Sequence, residues 1–195
     1  MGAPKLLLPL QGSPLIAHTI TAWQAAGLAP LVVVRPGDQK LIEACRGYGA
    51  EVLIPEITPP EMKVSVRLAL EHLQQRYRPP PDFAWLLAPA DMPRLSPAVI
   101  GRLLGMHRLN LQQTESPPIL VPVCGGRRGH PVLFPWPMAA QVSSLGEEES
   151  VKTLFARNPV CEVPCDDLLP SDQPFLDVDT PTDYARLGGT GRKTS

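Results

Sequence analysis

Along the chain, short β-branched and leucine-rich runs alternate with longer amphipathic stretches, the pattern of a mainly parallel sheet with helices on its faces. The runs that predict strands are 31–34, 51–54, 83–88, 119–123, 131–134, 160–163 and 175–178. The stretches between them predict helices over 14–26, 38–48, about 61–77 and 96–109, with a short one after Thr180. Ser13-Pro14, Ser96-Pro97 and Thr180-Pro181 each place a capping hydroxyl before a proline, whose missing donor costs nothing at the first helical position. Thr58-Pro59-Pro60-Glu61, and Thr180 with Asp183, have the spacing of a capping box or a close relative of it. No repeat or linker interrupts the pattern, so one domain over 1–187 is expected. Residues 188–195 read as a disordered polar tail: their glycines resemble a phosphate loop, but no helix follows whose N-terminus would face an anion.

Composition narrows the partners. The 195 residues carry 18 Lys+Arg against 19 Asp+Glu, a formal charge of −1, with only 19% charged residues. That balance lacks the basic excess of a nucleic-acid or anionic-membrane binder, and neither partner is expected. No apolar run approaches the roughly 18 residues that span a bilayer, and the first residues have no basic region followed by an apolar one, so the expected location is the cytoplasm. The 25 prolines punctuate a folded chain and form no low-complexity tract. Cys45, Cys124, Cys161 and Cys165 match no zinc or disulfide spacing and read as buried free thiols.

In an open α/β sheet, ligands bind beyond the carboxyl ends of the strands, which directs attention to polar residues just after strands. Asp91 ends the buried run 83–88 and sits on a stiff loop between Pro89 and Pro93. A hard divalent cation takes one or two carboxylates and fills its shell with substrate phosphates, which suits such a residue. The competing role, capping the next helix, is better met by Ser96. Asp177 and Asp179 lie two apart and share one side of an extended segment, so both can face one cation; capping a turn is the alternative. The loop 125–131 joins glycine backbone freedom to three anion donors, Arg127, Arg128 and His130, although a plain hairpin with a solvated basic tip reads equally well.

The opening stretch, Met1-Gly2-Ala3-Pro4-Lys5-Leu6-Leu7-Leu8-Pro9-Leu10-Gln11-Gly12-Ser13-Pro14-Leu15, resembles the segment after the nucleotide loop in MobA-like nucleotidyltransferases, especially the MocA-like molybdenum cofactor cytidylyltransferases. Asp91-Met92-Pro93, Gly126-Arg127-Arg128-Gly129-His130-Pro131-Val132-Leu133-Phe134 and Asp177-Val178-Asp179-Thr180-Pro181-Thr182-Asp183-Tyr184 follow in the family's order. The resemblance implies a three-layer, Rossmann-like nucleotidyltransferase fold with a mostly parallel sheet. It also implies a reaction in which a phosphate of molybdopterin attacks the α-phosphate of CTP or GTP and pyrophosphate leaves. On that reading Lys5 and Asp91 are catalytic, Asp91 and Asp179 hold Mg2+ or Mn2+, and Pro4, Lys5, Ser65 and Asp91 bind nucleotide. Arg127, Arg128, Gly129, His130 and Asp177 bind the acceptor, and a molybdenum enzyme or its maturation factor is a further partner.

The sequence departs from the family pattern in two places. The family's first strand and glycine-rich loop, ending in Arg, would precede Met1; the expectation is that in-frame codons upstream encode them and that the chain as given turns over poorly. In addition, Glu61-Met62-Lys63-Val64-Ser65 puts a side chain where the family has glycine before the serine. Guanylyl transfer, nucleotidyl transfer to a sugar phosphate, and a non-catalytic cofactor-binding protein are the alternatives.

Overall fold

The computed structural model describes residues 5–169, Phe175 and residues 180–188. A 3-10 turn over Lys5–Leu7 opens the described chain. The elements then run β1 (Pro9–Leu10), β2 (Ser13–Pro14), α1 (Leu15–Ala25), β3 (Leu31–Val33), α2 (Gln39–Gly47), β4 (Glu51–Leu53), α3 (Met62–Tyr77) and β5 (Ala84–Leu87). They continue with α4 (Pro97–Gln113), β6 (Ile119–Cys124), β7 (Arg127–Arg128), β8 (Val132–Pro135), α5 (Ala139–Ser143), α6 (Thr153–Arg157), β9 (Val160–Pro164) and α7 (Pro181–Arg186). Of the strand expected over 175–178, only Phe175 is among the described residues.

Layering follows from strand alternation, since successive side chains point to opposite faces. Trp85, Ile119, Val121, Val132 and Phe134 pack on one face against Val66 and Leu70 of α3. Leu120, Leu133 and the half-buried Ala84 and Leu86 pack on the other against Val99 and Leu103 of α4. Helices therefore cover both faces, giving a three-layer α/β arrangement as expected. Leu120 and Leu133 are fully buried and paired across β6 and β8, each contributing about 2 kcal/mol of apolar burial.

Strand directions are more mixed than the sequence predicts. β3–β4 and β6–β9 are parallel pairs. β8 runs antiparallel to both β5 and β6. The physical reason is the length of the 125–131 connection, which permits a hairpin-like return but not the dozen or more residues of a parallel crossover. α1 joins two clusters: Ile16 and Ile20 pack with Val34 and α2, whereas Ala22 packs with Leu95 and with Ile100 of α4.

The helix starts divide. Ser96 accepts from the Val99 N–H at 3.4 Å with Pro97 behind it, and Thr180 with Asp183 closes a full capping box, as expected. At α1, Pro14 is the cap and no side chain caps it; Ser13 is instead committed to pairing with Leu10. Thr58 caps nothing, because Pro60 disfavours helical backbone in Pro59 and α3 begins only at Met62, after Glu61.

All four cysteines are free; Cys45, Cys124 and Cys165 are buried and Cys161 is half-buried. Burial foremost, with Asp38 nearby, pushes the Cys45 thiol up to about 11, which leaves it unreactive.

One polar cluster ties β4 to α3. His72 Nε2 and Glu51 Oε1 are 2.7 Å apart, and the Tyr77 hydroxyl donates to Glu51 Oε2 at 2.7 Å. The His72 hydrogen bond foremost, joined by Tyr77 and Arg76, holds the Glu51 carboxyl below its ordinary value against the opposing effect of partial burial. A depressed carboxyl stabilises the fold above its unfolded pKa, about 4.3, and that contribution fades as pH falls through the folded value. Glu51→Gln is thus expected to lower Tm by about 2–4 °C at pH 7, a gap that closes towards pH 3 in a series of thermal melts. A constant gap across that range would remove the pair from the account of acid stability.

Candidate active site

The register fixes which loops meet. β5 ends at Leu87 opposite Val132, the first residue of β8, so the loop carrying Asp91 and the loop ending in His130-Pro131 share one edge of the sheet. The exit of β9 reaches the same edge, because Pro164 lies opposite Val123 and the Cys165 N–H donates to Val123 O at 2.8 Å. This is the carboxyl end of β5, β6 and β9, where an α/β sheet binds its ligands.

Asp91 stands on a fastened loop. Thr19 Oγ1, from buried Thr19 of α1, donates to Ala90 O at 3.0 Å, and Met92 and Leu95 on the far side are buried. The 3-10 turn that begins with Lys5 is anchored by Leu6 and Leu7 against the α1–α2 cluster, and the Tyr184 hydroxyl of α7 donates to Pro9 O just beyond it. Between these anchors Lys5 Nζ lies 2.5 Å from Asp91 Oδ2, with the two side chains 26% and 21% exposed. A half-buried ammonium and carboxylate, brought together from 86 residues apart, remain accessible to an incoming ligand.

The β6–β7 hairpin lies at the same edge. Cys124 pairs with Arg127, leaving Gly125 and Gly126 as a two-residue turn with φ of +56° and +72°, the mirror-image turn that matches strand twist and that side chains rarely adopt. Gly129 is buried, its N–H donates to Pro122 O at 2.9 Å, and a Cβ there would stand 2.1 Å from the Phe175 ring. Only glycine fits between β6 and that ring. His130 follows, half-buried.

The structure brings only some of the residues named from sequence together. Lys5 and Asp91 meet directly, and Gly129 and His130 lie on the same edge. Arg128 is exposed and committed to Glu162 of β9, with Nε 2.7 Å from Oε1, whereas Arg127 is exposed at the tip. Ser65 lies in the first turn of α3, half-buried. Pro4, Asp177 and Asp179 lie outside the described residues. A groove of about 210 Å³ between β4 and α3, lined by Leu53, Pro55, Leu68, Glu71, His72 and Gln75, includes none of them.

Two supporting residues escaped sequence reasoning. Thr19 had a signal, a hydroxyl among the apolar residues of a helix, and it is only 4% exposed. Asp166, two residues past the end of β9, satisfied the same strand-end rule that singled out Asp91 and was passed over.

A divalent cation fits this site in one manner. Among the described residues no three His, Cys, Asp or Glu side chains form a metal cage. Asp91 offers one hard carboxylate already facing a cationic group, which suits Mg2+ or Mn2+ arriving with phosphate oxygens better than a resident ion. No helix among the described residues is long and apolar enough to cross a membrane.

Residues 1–162 match the profile of the MobA-like NTP transferase domain. Rv0371c of Mycobacterium tuberculosis H37Rv is similar in structure, with a TM-score of 0.75 and 25% identity over 98% of this chain and 92% of that one. A manganese complex of Rv0371c is also similar, with a TM-score of 0.72 and 25% identity over 95% of this chain and 92% of that one. In sequence, a 110-residue segment is 36% identical to the bifunctional protein GlmU of Kineococcus radiotolerans, taking in 53% of this chain and only 21% of that protein.

Proposed function

The chain belongs to the MobA-like NTP transferase family, whose chemistry is nucleotidyl transfer, and we propose that it moves CMP from CTP onto the phosphate of molybdopterin with release of pyrophosphate. The observation that carries the reading is the Lys5–Asp91 pair at the carboxyl edge of the sheet, the edge shared by the loop 125–131. The choice of cytosine base and pterin acceptor rests on the look of the stretch Gly126 to Phe134.

The reaction needs no general base. A phosphate monoester with a second pKa of about 6 is largely dianionic at neutral pH, and its oxygen attacks the α-phosphorus directly. The new P–O bond forms there as the bond to the β-phosphate oxygen breaks, and pyrophosphate carries away the electron pair. The remaining task is to bring anions together and neutralise the charge that moves onto the leaving group.

Lys5 is placed to do so once it swings from Asp91 to the triphosphate. Asp91, freed of the ammonium, would hold the divalent cation, with Asp179 proposed as its second ligand. That cation, Mg2+ or Mn2+, supplies Lewis-acid neutralisation of the phosphate oxygens, and the Mn2+ complex of Rv0371c supports a site of this type. At the same edge the exposed Arg127 and the half-buried His130 are proposed as donors to the acceptor phosphate. Arg128 joins them only by leaving Glu162. Ser65 and Pro4 are proposed on the nucleotide side, and Gly129 and Asp177 on the acceptor side.

The test is a competition: with molybdopterin, Mg2+ and equal CTP and GTP, the product is expected to be predominantly the CMP adduct when resolved by mass. Predominant GMP transfer moves the protein to guanylyl chemistry. Transfer to a sugar phosphate in preference to molybdopterin discards the pterin acceptor.

A further inference from the structure

The two-residue turn at Gly125-Gly126 leaves its central N–H groups without partners inside the hairpin. In a mirror-image hairpin turn the N–H of the first central residue is not used by the strand ladder, so Gly125 is free to bond an acceptor outside the hairpin. Asp166 provides it, its Oδ1 accepting from the Gly125 N–H at 2.8 Å across 41 residues of sequence. Asp166 is itself fixed from both sides. Before it, the Cys165 N–H is bonded to Val123 O; after it, Asp167 takes a two-pronged bond from Arg102, Nη1 to Oδ1 at 2.6 Å and Nη2 to Oδ2 at 2.7 Å. Arg102 Nη1 also donates to Pro164 O at 2.8 Å, and the Leu168 N–H closes a turn onto Cys165 O at 3.0 Å. A helix on one face of the sheet, the exit of β9 and the hairpin tip are thereby linked in series.

We infer that Asp166 is a positioning residue that holds the hairpin of Arg127, Arg128 and His130 in register with the Asp91 loop, and so sets how tightly the acceptor phosphate is bound; the inference rests on the acceptor side of the proposed function. Asp166 touches no substrate in this account. It acts through the Gly125 backbone, and an amide oxygen at the same place serves nearly as well as a carboxylate.

Asp166→Ala and Asp166→Asn separate the possibilities, read by amide hydrogen exchange over residues 122–130 and by steady-state kinetics with molybdopterin and CTP. Asp166→Ala is expected to speed exchange at the tip about tenfold, the equivalent of about 1.4 kcal/mol for one hydrogen bond to a charged group. It is also expected to raise KM for molybdopterin about five- to tenfold, with KM for CTP and kcat within about twofold of wild type, and Asp166→Asn to restore most of both. Unchanged exchange in Asp166→Ala overturns the brace itself. Faster exchange with an unchanged molybdopterin KM overturns the positioning role and lays the failure on the assignment of the hairpin to the acceptor. Equal damage from Ala and Asn, or a parallel rise in the CTP KM, also contradicts it, since a general structural loss spares neither substrate.

Discussion

Replacing Asp91 with asparagine is expected to lower metal-dependent nucleotidyl transfer at least about a hundredfold while moving Tm by no more than about 2–4 °C. The substitution keeps the size of the side chain and one of its oxygens, so the loop fastened by Thr19, Met92 and Leu95 retains its anchors. It removes the negative charge. The ion pair with Lys5 is part-exposed, and such pairs contribute about 1 kcal/mol or less to stability, so folding is barely affected. Catalysis loses much more, because a neutral amide neither holds a hard cation against water nor draws Lys5 into place. Turnover close to wild type in Asp91→Asn, measured under saturating nucleotide, would falsify the assignment of Asp91 to the metal.

Lys5→Ala is expected to cost a similar amount in turnover, about a hundredfold, by the loss of one preorganised cation at the developing charge of the leaving group. Its signature differs in the metal. With the ammonium 2.5 Å from Asp91 Oδ2, a divalent cation must displace Lys5 to reach the carboxylate. Removing Lys5 relieves that competition, so Lys5→Ala is expected to bind Mn2+ at least as tightly as wild type, as read by the electron spin resonance of free Mn2+, although it turns over slowly. Weaker Mn2+ binding in Lys5→Ala than in wild type contradicts this exchange of partners. Because the two residues act as a unit, the double variant should lose little more than either single one.

How far the sequence carries depends on the range of the interaction. Asp91 was legible because its signal is local: a buried apolar run that empties between two prolines onto a carboxylate. Ser96 and the Thr180–Asp183 capping box were legible for the same reason. The local rule misled at Ser13 and Thr58, where a competing strand pairing with Leu10 and the backbone restriction of a double proline prevailed. The reversed direction of β8 was implicit in the length of the 125–131 connection, yet the alternation of strands and helices favoured a parallel reading. Lys5 entered through resemblance alone, since nothing local joins it to a carboxylate 86 residues away. The engagement of Arg128 by Glu162 depends on β9 lying beside β6, and no spacing within either segment reveals that neighbour.

The most direct measurement follows the phosphorus. Incubated with Mg2+, molybdopterin and nucleoside triphosphate labelled at the α-phosphorus, the protein is expected to move the label onto the acceptor in one-to-one ratio with pyrophosphate released, and to do so only with the metal present. Label placed at the γ-phosphorus should appear in pyrophosphate and nowhere else. Transfer of the γ-label to the acceptor, or release of pyrophosphate with no labelled adduct from CTP or GTP, contradicts nucleotidyl transfer to this acceptor.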